Sequence, residues 1–410
     1  MASPAIQAEA VVRSVTDTRD EMLTTSPPAV LPPRTTHRWW AIPLVVVAFA
    51  AVVALLLTSM LPADLHAKNR DGVDAPYALV PAAADPVAPR LSFDAVPRYE
   101  ASGELLFVTI RQPEITLLDW FIGRDQTEVG FLSYEDKYGP STPSQTRSFN
   151  FQMMRTAKET AEYEALSFLG YPAELLPGDV IIQALCDEVD QTTGDCLTPA
   201  PADDVLDPGD QILAIDDQPV DDIDDLTDIL QAYEPGDTVT VRYLREGEGE
   251  REGQIQLIES DDGAGRTIIG FYPFDTAAVE LPFEVDIDSG DIGGPSAGLA
   301  FTLTLIDEIT PGELTGGNQI AVTGTINEKG EVGAIGGLAS KTSAVKQMGA
   351  KAFIVPAAQG EEDIARARQV AGDDLEIVPV ATLQEAVEAL ARFGGNGLEL
   401  GKPGADYTPG

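Results

Sequence analysis

A serine and a lysine in the C-terminal third of this chain have the residue types that nucleophilic catalysis needs. Ser296 lies in a turn of glycine and proline, and Lys341 follows it 45 residues later, after a second glycine-rich segment. A serine hydroxyl becomes a nucleophile only when a base activates it. Histidine is the usual base, but the chain has only two histidines, His37 and His66, and both lie beside an apolar segment near the N-terminus. The sequence therefore favours a Ser–Lys pair over a Ser–His–Asp triad.

The residues around Ser296 are typical of a tight turn that leads into a helix. Gly293 and Gly294 allow tight backbone geometry and close approach of a substrate. The helix is expected to begin near Ala297, and amides at a helix start can face a developing oxyanion. Lys341 would have to be neutral to take a proton, and burial lowers the pKa of a lysine. Each piece alone is also common in ordinary turns and on solvated surface helices.

Several segments taken together resemble the proteolytic domain of Lon proteases. These segments are 291–299, 310–317, 320–326, 330–341 and 349–356. The resemblance implies that Ser296 is the nucleophile, that Lys341 is the general base, and that Thr323 orients the lysine. Alternatively, Thr323 is an ordinary β-branched residue of a strand, with no role in catalysis. The resemblance also implies a serine endopeptidase that needs no cofactor, assembles as a homo-oligomer, and acts on unfolded or flexible protein chains.

Two departures from the ATP-dependent Lon enzymes stand out. Gly293 occupies a position where those enzymes carry an acidic residue, so control of the active site is expected to differ. Residues 336–342 look superficially like a phosphate-binding loop, but Ser340 replaces the glycine that must precede the lysine. No nucleotide-binding motif is therefore predicted, and the order of segments is similar to that of membrane-bound, ATP-independent Lon-like proteases.

Residues 173–260 resemble a PDZ domain. The resemblance is carried by the segments 201–202, 205–206, 208–220, 226–233 and 237–244. Asp217 stands where glycine is common, and no clear carboxylate-binding loop is present; its best counterpart contains Leu176, Gly178 and Val180. A PDZ domain binds a peptide that adds as a strand, while backbone amides receive the peptide carboxylate. The alternative is a structural β-domain that spaces or gates the domain after it.

Two cysteines, Cys186 and Cys196, lie in one polar loop inside this segment. They could close a small disulfide ring in an oxidising compartment, or they could be unrelated thiols. A structural zinc ion needs four ligands, and no histidine lies nearby. No metal site is predicted.

Residues 39–63 carry no charged side chain. About 20 apolar residues are enough to cross a bilayer as a helix, and Trp39 and Trp40 stand at one end, where interfacial aromatic residues are common. A buried core helix and a cleaved signal peptide are the alternatives, but the apolar part of a signal peptide is shorter, about 7–15 residues. We predict a single transmembrane helix over 39–62. Lysine and arginine are balanced on its two sides, and we favour a cytoplasmic N-terminus with the following domains outside the cytoplasm.

The net charge of -41 lies entirely in residues 64–410, because acidic and basic residues balance in the first 63. Such a strongly acidic surface disfavours binding to nucleic acid. Solubility or adaptation to salt explains the acidity most simply, and a surface for one basic partner is the alternative.

The chain is thus expected to have a disordered tail, a membrane helix, and an α/β Lon-type domain preceded by a β-rich PDZ-like domain. The predicted boundaries are 1–38 for the cytoplasmic tail, 39–62 for the transmembrane helix, 63–103 for a linker and first strand region, 104–172 for a strand and helical segment, 173–260 for the PDZ-like domain, 265–393 for the Lon-like domain and 394–410 for a flexible tail. Proline and alanine in 81–89 indicate the linker. The predicted function is ATP-independent hydrolysis of peptide bonds in unfolded or membrane-proximal proteins, with the PDZ-like domain recruiting or gating substrate. The alternative is an inactive, membrane-tethered binding or scaffold protein.

Overall fold

The structure is a computed structural model. It describes residues 41–63, 67–139, 141–184, 200–245, 247–260, 265–396 and 401–407. The predicted disordered tail 1–38, the two interfacial tryptophans and the cysteine pair Cys186 and Cys196 lie outside the described residues.

The first helix, α1 (Ala41–Met60), contains no charged residue. Twenty residues at 1.5 Å per residue make a helix of about 30 Å, which matches the hydrocarbon thickness of a bilayer. Within the described ranges, Ile42–Met60 is the one helix long and apolar enough to cross a membrane, and none of it is buried. The predicted single apolar helix is therefore present.

A mixed six-stranded sheet forms the centre of the larger domain. Its strands are, in chain order, β1 (Tyr77–Pro86), β3 (Glu104–Arg111), β4 (Gly130–Leu132), β14 (Gln319–Val322), β17 (Ala352–Pro356) and β18 (Glu376–Val380). The spatial order is β18-β17-β14-β3-β1-β4. The first four in that order are parallel to one another, and β1 is antiparallel to both β3 and β4.

Helices cover both faces of the sheet. Successive side chains of a strand point to opposite faces, so neighbouring residues belong to different core clusters. Leu105 and Phe107 face one core cluster, whereas Leu106 and Val108 face another. The first cluster is covered by α4 (Pro143–Phe168), α6 (Gly298–Ile309) and α9 (Leu383–Ala391), and the second by α7 (Leu338–Met348) and α8 (Glu361–Ala371). Every residue of α6 is buried. This layered arrangement of helices on both faces of a sheet confirms the predicted α/β class.

Short elements connect these layers. They are β2 (Leu91–Ser92), α2 (Leu117–Gly123), α3 (Tyr134–Tyr138), β13 (Asp286–Ile287), β15 (Thr325–Ile326) and β16 (Val332–Gly333). Strand β13 pairs with β2, and β15 pairs with β16 in a hairpin.

The reading of 81–89 as a linker is wrong for residues 81–86, because they belong to strand β1. Proline cannot donate to a β-ladder, but it is tolerated at bulges and strand ends. The register of β1 against β3 shifts between Pro81 and Ala84, and Pro86 is the last residue of the strand. The chain thus places its prolines where the ladder does not require an N–H. Strands β1, β3 and β4 also lie outside the predicted 265–393 segment, although they belong to the same sheet.

The C-terminal tail, predicted to be flexible, is packed over residues 401–407. The Tyr407 ring lies 5.3 Å from that of Tyr171 and 5.9 Å from that of Phe283. Its hydroxyl donates to the carbonyl of Pro282 at 3.1 Å. Gly404 N also donates to the Leu169 carbonyl at 3.1 Å, so a ring contact and a backbone hydrogen bond hold this segment against the core.

A second, antiparallel sheet lies in the PDZ-like region. Its strands are β5 (Glu174–Ala184), β6 (Gln211–Ile215), β7 (Gln218–Pro219), β8 (Thr238–Arg245), β9 (Gly249–Gln256) and β12 (Tyr272–Glu280), and the helix α5 (Ile223–Leu230) packs with it. The order is β12-β5-β6-β8-β9, with β7 beside β6. The small hairpin of β10 (Ile258–Glu259) and β11 (Thr267–Ile268) stands apart from this sheet.

Leu176, Gly178 and Val180 do not form the loop predicted from the sequence. They lie within strand β5, which pairs with β12 along nearly its whole length. Gly178 is needed there for close approach of the two strands, since an added Cβ would lie 1.7 Å from the Thr276 carbonyl oxygen.

Candidate active site

Three elements of the larger domain converge on Ser296. The serine lies just before the buried helix α6, Thr323 directly follows strand β14, and Lys341 lies in the first turn of α7. Two backbone hydrogen bonds join the first two segments: Gly324 N donates to Ser296 O at 3.0 Å, and Leu299 N donates to Gly324 O at 3.1 Å. The end of the strand thus fixes the position of the serine loop.

The side chains of Ser296, Thr323 and Lys341 form a connected hydrogen-bond group. Lys341 Nζ lies 2.7 Å from Ser296 Oγ and 3.1 Å from Thr323 Oγ1. Thr323 Oγ1 also donates to the Ser296 carbonyl at 3.1 Å. Thr323 is therefore tied to the backbone of the serine and the head group of the lysine at once.

Lys341 is buried, with 2% of its surface exposed. Desolvation disfavours the charged form of a lysine. It lowers the pKa of the Lys341 ammonium from 10.5 to about 7. A substantial fraction of this amine is therefore neutral at physiological pH and can accept a proton.

The glycine turn before Ser296 rests against helix α4. Gly294 N donates to the Asn150 carbonyl at 2.7 Å, and Gly294 has a φ of +87°, which favours glycine. Gly293 packs closely, since an added Cβ would lie 3.0 Å from Asn150 Cβ. Ala297 is buried directly before α6. The sequence analysis missed Asn150, because it holds the serine turn through its backbone carbonyl, which every residue type has.

Helix α7, which carries Lys341, is held by the N-terminal strands. Ser340 Oγ lies within hydrogen-bond distance of two carbonyl oxygens, 2.6 Å from that of Glu128 and 3.2 Å from that of Leu79, and its single O–H can donate to either. The sequence singled out Ser340 only as the residue that breaks a phosphate-loop motif. The structure shows that it attaches the lysine helix to strand β1 and to the segment before β4.

The PDZ-like region contains a cavity of about 1100 Å³ that does not include the serine site. It is bordered by one face of α5, with Ile223, Leu226 and Leu230, and by the segment 265–273. The proposed carboxylate-binding residues Leu176, Gly178 and Val180 do not line it.

Comparison with known families gives matches for both regions. Residues 284–392 match the Lon protease (S16) C-terminal proteolytic domain, and this span includes Ser296, Thr323 and Lys341. Residues 195–252 match the PDZ domain family. The predicted combination of a PDZ domain followed by a Lon-type domain is confirmed.

Individual Lon proteases match over about a quarter of the chain. Lon protease 2 of Bacillus subtilis is 37% identical over 99 residues, which are 24% of this chain and 17% of the relative. Lon protease of Chloroflexus aggregans is 33% identical over 100 residues, 24% of this chain and 12% of the relative. This chain therefore spans less than a fifth of the length of these curated relatives.

Two solved structures from Listeria proteins are also similar to part of the chain. The PDZ domain of an SdrC-like protein from Listeria monocytogenes is 25% identical and covers 24% of this chain and 92% of its own, with a TM-score of 0.20. The second domain of the protein Lin2157 from Listeria is 28% identical and covers 24% and 85%, with a TM-score of 0.19.

Proposed function

We propose that this chain is a serine endopeptidase in which Ser296 is the nucleophile and Lys341 the general base. The observation that carries the proposal is the 2.7 Å distance between Lys341 Nζ and Ser296 Oγ, together with burial of the lysine. A nucleophile within hydrogen-bond reach of a base, with a third group orienting that base, is the arrangement that activates a hydroxyl. Thr323 is the orienting group.

In the proposed reaction, Ser296 Oγ attacks the carbonyl carbon of a peptide bond while its proton moves to neutral Lys341 Nζ. The resulting tetrahedral intermediate collapses, and the lysine gives that proton to the leaving amine. The peptide C–N bond breaks and an acyl-serine ester remains. Water then attacks the ester, Lys341 takes the water proton and returns it to Ser296 Oγ, and a product with a free carboxyl group leaves.

The backbone limits which amides can stabilise the oxyanion. Gly294 N is already bound to the Asn150 carbonyl, and Pro295 has no N–H. The amide of Ser296 itself, close to the start of α6, is the donor that we assign to this role. This chemistry needs no nucleotide or other cofactor.

We further propose that the PDZ domain recruits protein chains and acts on the Lon-type domain through α4. Gln145, near the start of α4, donates to Asp207 in the PDZ region. Gly209 of the same region packs on Ser148 and Phe149, since an added Cβ would lie 3.2–3.3 Å from them. Asn150, one residue further along α4, binds Gly294 N. A shift of the PDZ domain would therefore reach the serine loop through one turn of helix. The cavity beside α5 is the site we assign to substrate chains.

The apolar helix α1 supports a single-pass anchor, which would restrict the enzyme to substrates near the membrane. The N-terminus is proposed to be cytoplasmic and the folded domains extracytoplasmic, with several copies assembling together. Glycosylation-site or protease-accessibility mapping in whole cells would test this orientation.

The decisive experiment measures cleavage of fluorescently labelled casein by the purified full chain in detergent, without nucleotide. Ser296→Ala and Lys341→Ala are expected to lose at least about 1,000-fold in kcat, because the two residues act as one unit. Lys346→Ala is the matched control, since Lys346 is an exposed lysine on the same helix. It is expected to keep the wild-type rate.

The outcomes separate the competing functions. A wild-type rate in Lys341→Ala would show that the dyad is assigned wrongly. Absence of cleavage by a folded wild-type chain that still binds casein would favour the membrane-tethered binding protein. A requirement for ATP would contradict the nucleotide-independent mechanism.

A further inference from the structure

The short helix α2 (Leu117–Gly123) exposes two large apolar side chains to solvent. Phe121 and Ile122 are each 58% exposed, although both are large hydrophobic residues. Helix α2 is not frayed, because Thr116 and Asp119 form a capping box at its start. At its end, Gly123 packs tightly against Val129 and Phe131, where an added Cβ would lie 3.2–3.3 Å away. The exposed pair is therefore held on a fixed support.

Helix α2 is attached to the chain that immediately follows the apolar helix α1. Leu61, the residue after the last residue of α1, accepts a hydrogen bond from Leu117 N at 3.0 Å. Pro62 pairs with Thr116, and Ala63 N donates to the Ile115 carbonyl at 3.2 Å. The first residue of α2 thus lies one hydrogen bond away from the end of the membrane helix.

This attachment brings the exposed pair within reach of the bilayer surface. Phe121 and Ile122 lie four and five residues after Leu117, which is about 6–8 Å along a helix at 1.5 Å per residue. The polar interface on each side of the hydrocarbon core is about 5–8 Å thick. Exposed apolar residues at this distance can therefore contact lipid.

The neighbouring side chains are of the types that favour a membrane interface. Trp120 is partly buried and its indole N–H donates to the Lys68 carbonyl at 3.2 Å. The Arg124 guanidinium lies 4.4 Å from the centre of the Phe121 ring and 5.4 Å from that of Trp120. Aromatic rings at the headgroup level and arginine heads that reach towards water are characteristic of this zone.

Attraction between basic side chains and anionic lipid does not account for a membrane contact of Phe121 and Ile122. Lys68 pairs with Asp74, and Arg124 lies 3.7 Å from Asp125. Because α2 itself also carries the exposed Asp119, its surroundings are not basic, so apolar contact and not attraction to anionic lipid would hold the helix at the bilayer.

We propose that α2 is an interfacial helix, whose Phe121 and Ile122 side chains insert at the headgroup–acyl boundary of the bilayer that α1 crosses. This proposal rests on the proposed anchoring by α1. Ile115 and Val80 pack with Trp120 and so join α2 to the strand β1 side of the Lon-type domain. The ligand is the lipid interface itself.

The test uses tryptophan fluorescence of the full chain in phosphatidylcholine liposomes. The sequence has three tryptophans, so Trp39→Phe with Trp40→Phe leaves Trp120 as the single probe. Lipids brominated on the acyl chain are expected to reduce its emission about twofold, because interfacial helices lie about 5–10 Å into this boundary. Phe121→Ser with Ile122→Ser, in the same background, should abolish most of that quenching.

Two matched controls separate lipid contact from general effects. Met348→Ser, which removes another half-exposed apolar residue from α7, should leave Trp120 quenching unchanged. A probe moved to the PDZ region, Leu244→Trp with Trp120→Phe in the same Trp39→Phe and Trp40→Phe background, should not be quenched by the brominated lipid.

Flotation of the liposomes after an alkaline wash reports anchoring independently of quenching. If the protein floats but Trp120 is not quenched, or if the serine pair leaves quenching unchanged, the interfacial helix is overturned and the anchor stands. If the protein does not float, anchoring by α1 and the present proposal both fail. Casein cleavage by the same samples tests the endopeptidase separately.

Discussion

The protonation of Lys341 should set the acid side of the pH–rate profile. Burial lowers the pKa of this ammonium to about 7, and only the neutral amine can accept the Ser296 proton. The rate is therefore expected to rise as the pH increases through about 7 and to level off above about 8. Initial rates of peptide cleavage from pH 5 to pH 9 would show it. A rate that does not change between pH 6 and 8 would contradict a catalytic role for a buried, neutral lysine.

Thr323 should affect turnover more than substrate binding. Its hydroxyl contacts both Lys341 Nζ and the Ser296 carbonyl. Lys341 becomes charged as it takes the serine proton, and a hydrogen bond to a charged group contributes about 1.5–3 kcal/mol. Each 1.36 kcal/mol of barrier changes the rate about tenfold. Thr323→Val is therefore expected to lower kcat by about 10- to 100-fold with little change in KM. Thr323→Ser, which keeps the hydroxyl, should recover most of the rate; equal losses in both variants would indicate a packing effect of the methyl group instead.

Two segments far apart in sequence, 77–132 and 319–380, supply the strands of one sheet. A fragment that contains only one of them should therefore fail to fold. Strand β14 lies between β17 and β3, and the pairing of Gln319 with Glu104 joins residues far apart in sequence. A fragment starting at residue 265 leaves that edge of β14 unpaired and removes Leu105 and Phe107 from the core. We expect such a fragment to be largely unfolded by circular dichroism and near-ultraviolet absorbance.

A matched fragment makes this prediction specific. A chain starting at residue 61 keeps every strand of the sheet and the segment that pairs with Ile115 and Leu117, and it lacks only the tail and the membrane helix. It should show cooperative thermal unfolding. Cooperative unfolding of the 265–410 fragment would mean that β1, β3 and β4 are accessory strands.

The same elements show what the sequence could and could not predict. The Ser296 and Lys341 motifs are local runs of residues, so their identity was visible without a structure, as was the uncharged span of α1. The pairing of β1 with β3 and of β3 with β14 depends on contacts between distant segments, and nothing local encodes it. In β1 the composition was misleading, because Pro81 and Pro86 occupy a bulge and a strand end that only the pairing reveals. Asn150 was invisible because it acts through its carbonyl.

Across the whole molecule, buried carboxyl groups make the folded state less stable as the pH rises towards neutrality. Burial raises the pKa of Glu162 to about 8, and those of Glu164 and Asp307 to about 7. For Glu162 the neighbouring Glu159 and Asp286 carboxylates add to the effect, and Lys158 opposes it. A raised folded-state pKa contributes stability that is complete below the unfolded value, near 4, and is lost as the pH rises through the folded value.

Lys341 acts in the opposite direction over a different range. Its folded pKa is lowered to about 7, so the unfolded chain binds the extra proton between about pH 7 and 10 and stability rises with pH there. Between pH 5 and 7 the lysine is charged in both states and contributes little change. The carboxylates therefore decide that window, and the net charge of -41 adds repulsion in the same direction as they ionise.

We consequently expect the melting temperature of the full chain in detergent to fall between pH 5 and pH 7. Glu162→Gln should reduce that fall by about 1–2 °C for each 1 kcal/mol of lost stability that it removes, the scale expected for a chain of 410 residues, because the amide does not ionise. Differential scanning calorimetry at half-unit pH steps would measure it. Asp373→Asn, at an exposed position on the same acidic molecule, is the matched control and should follow the wild-type curve. If Glu162→Gln and Asp373→Asn both follow the wild-type curve, ionisation of the buried Glu162 does not cause the loss of stability.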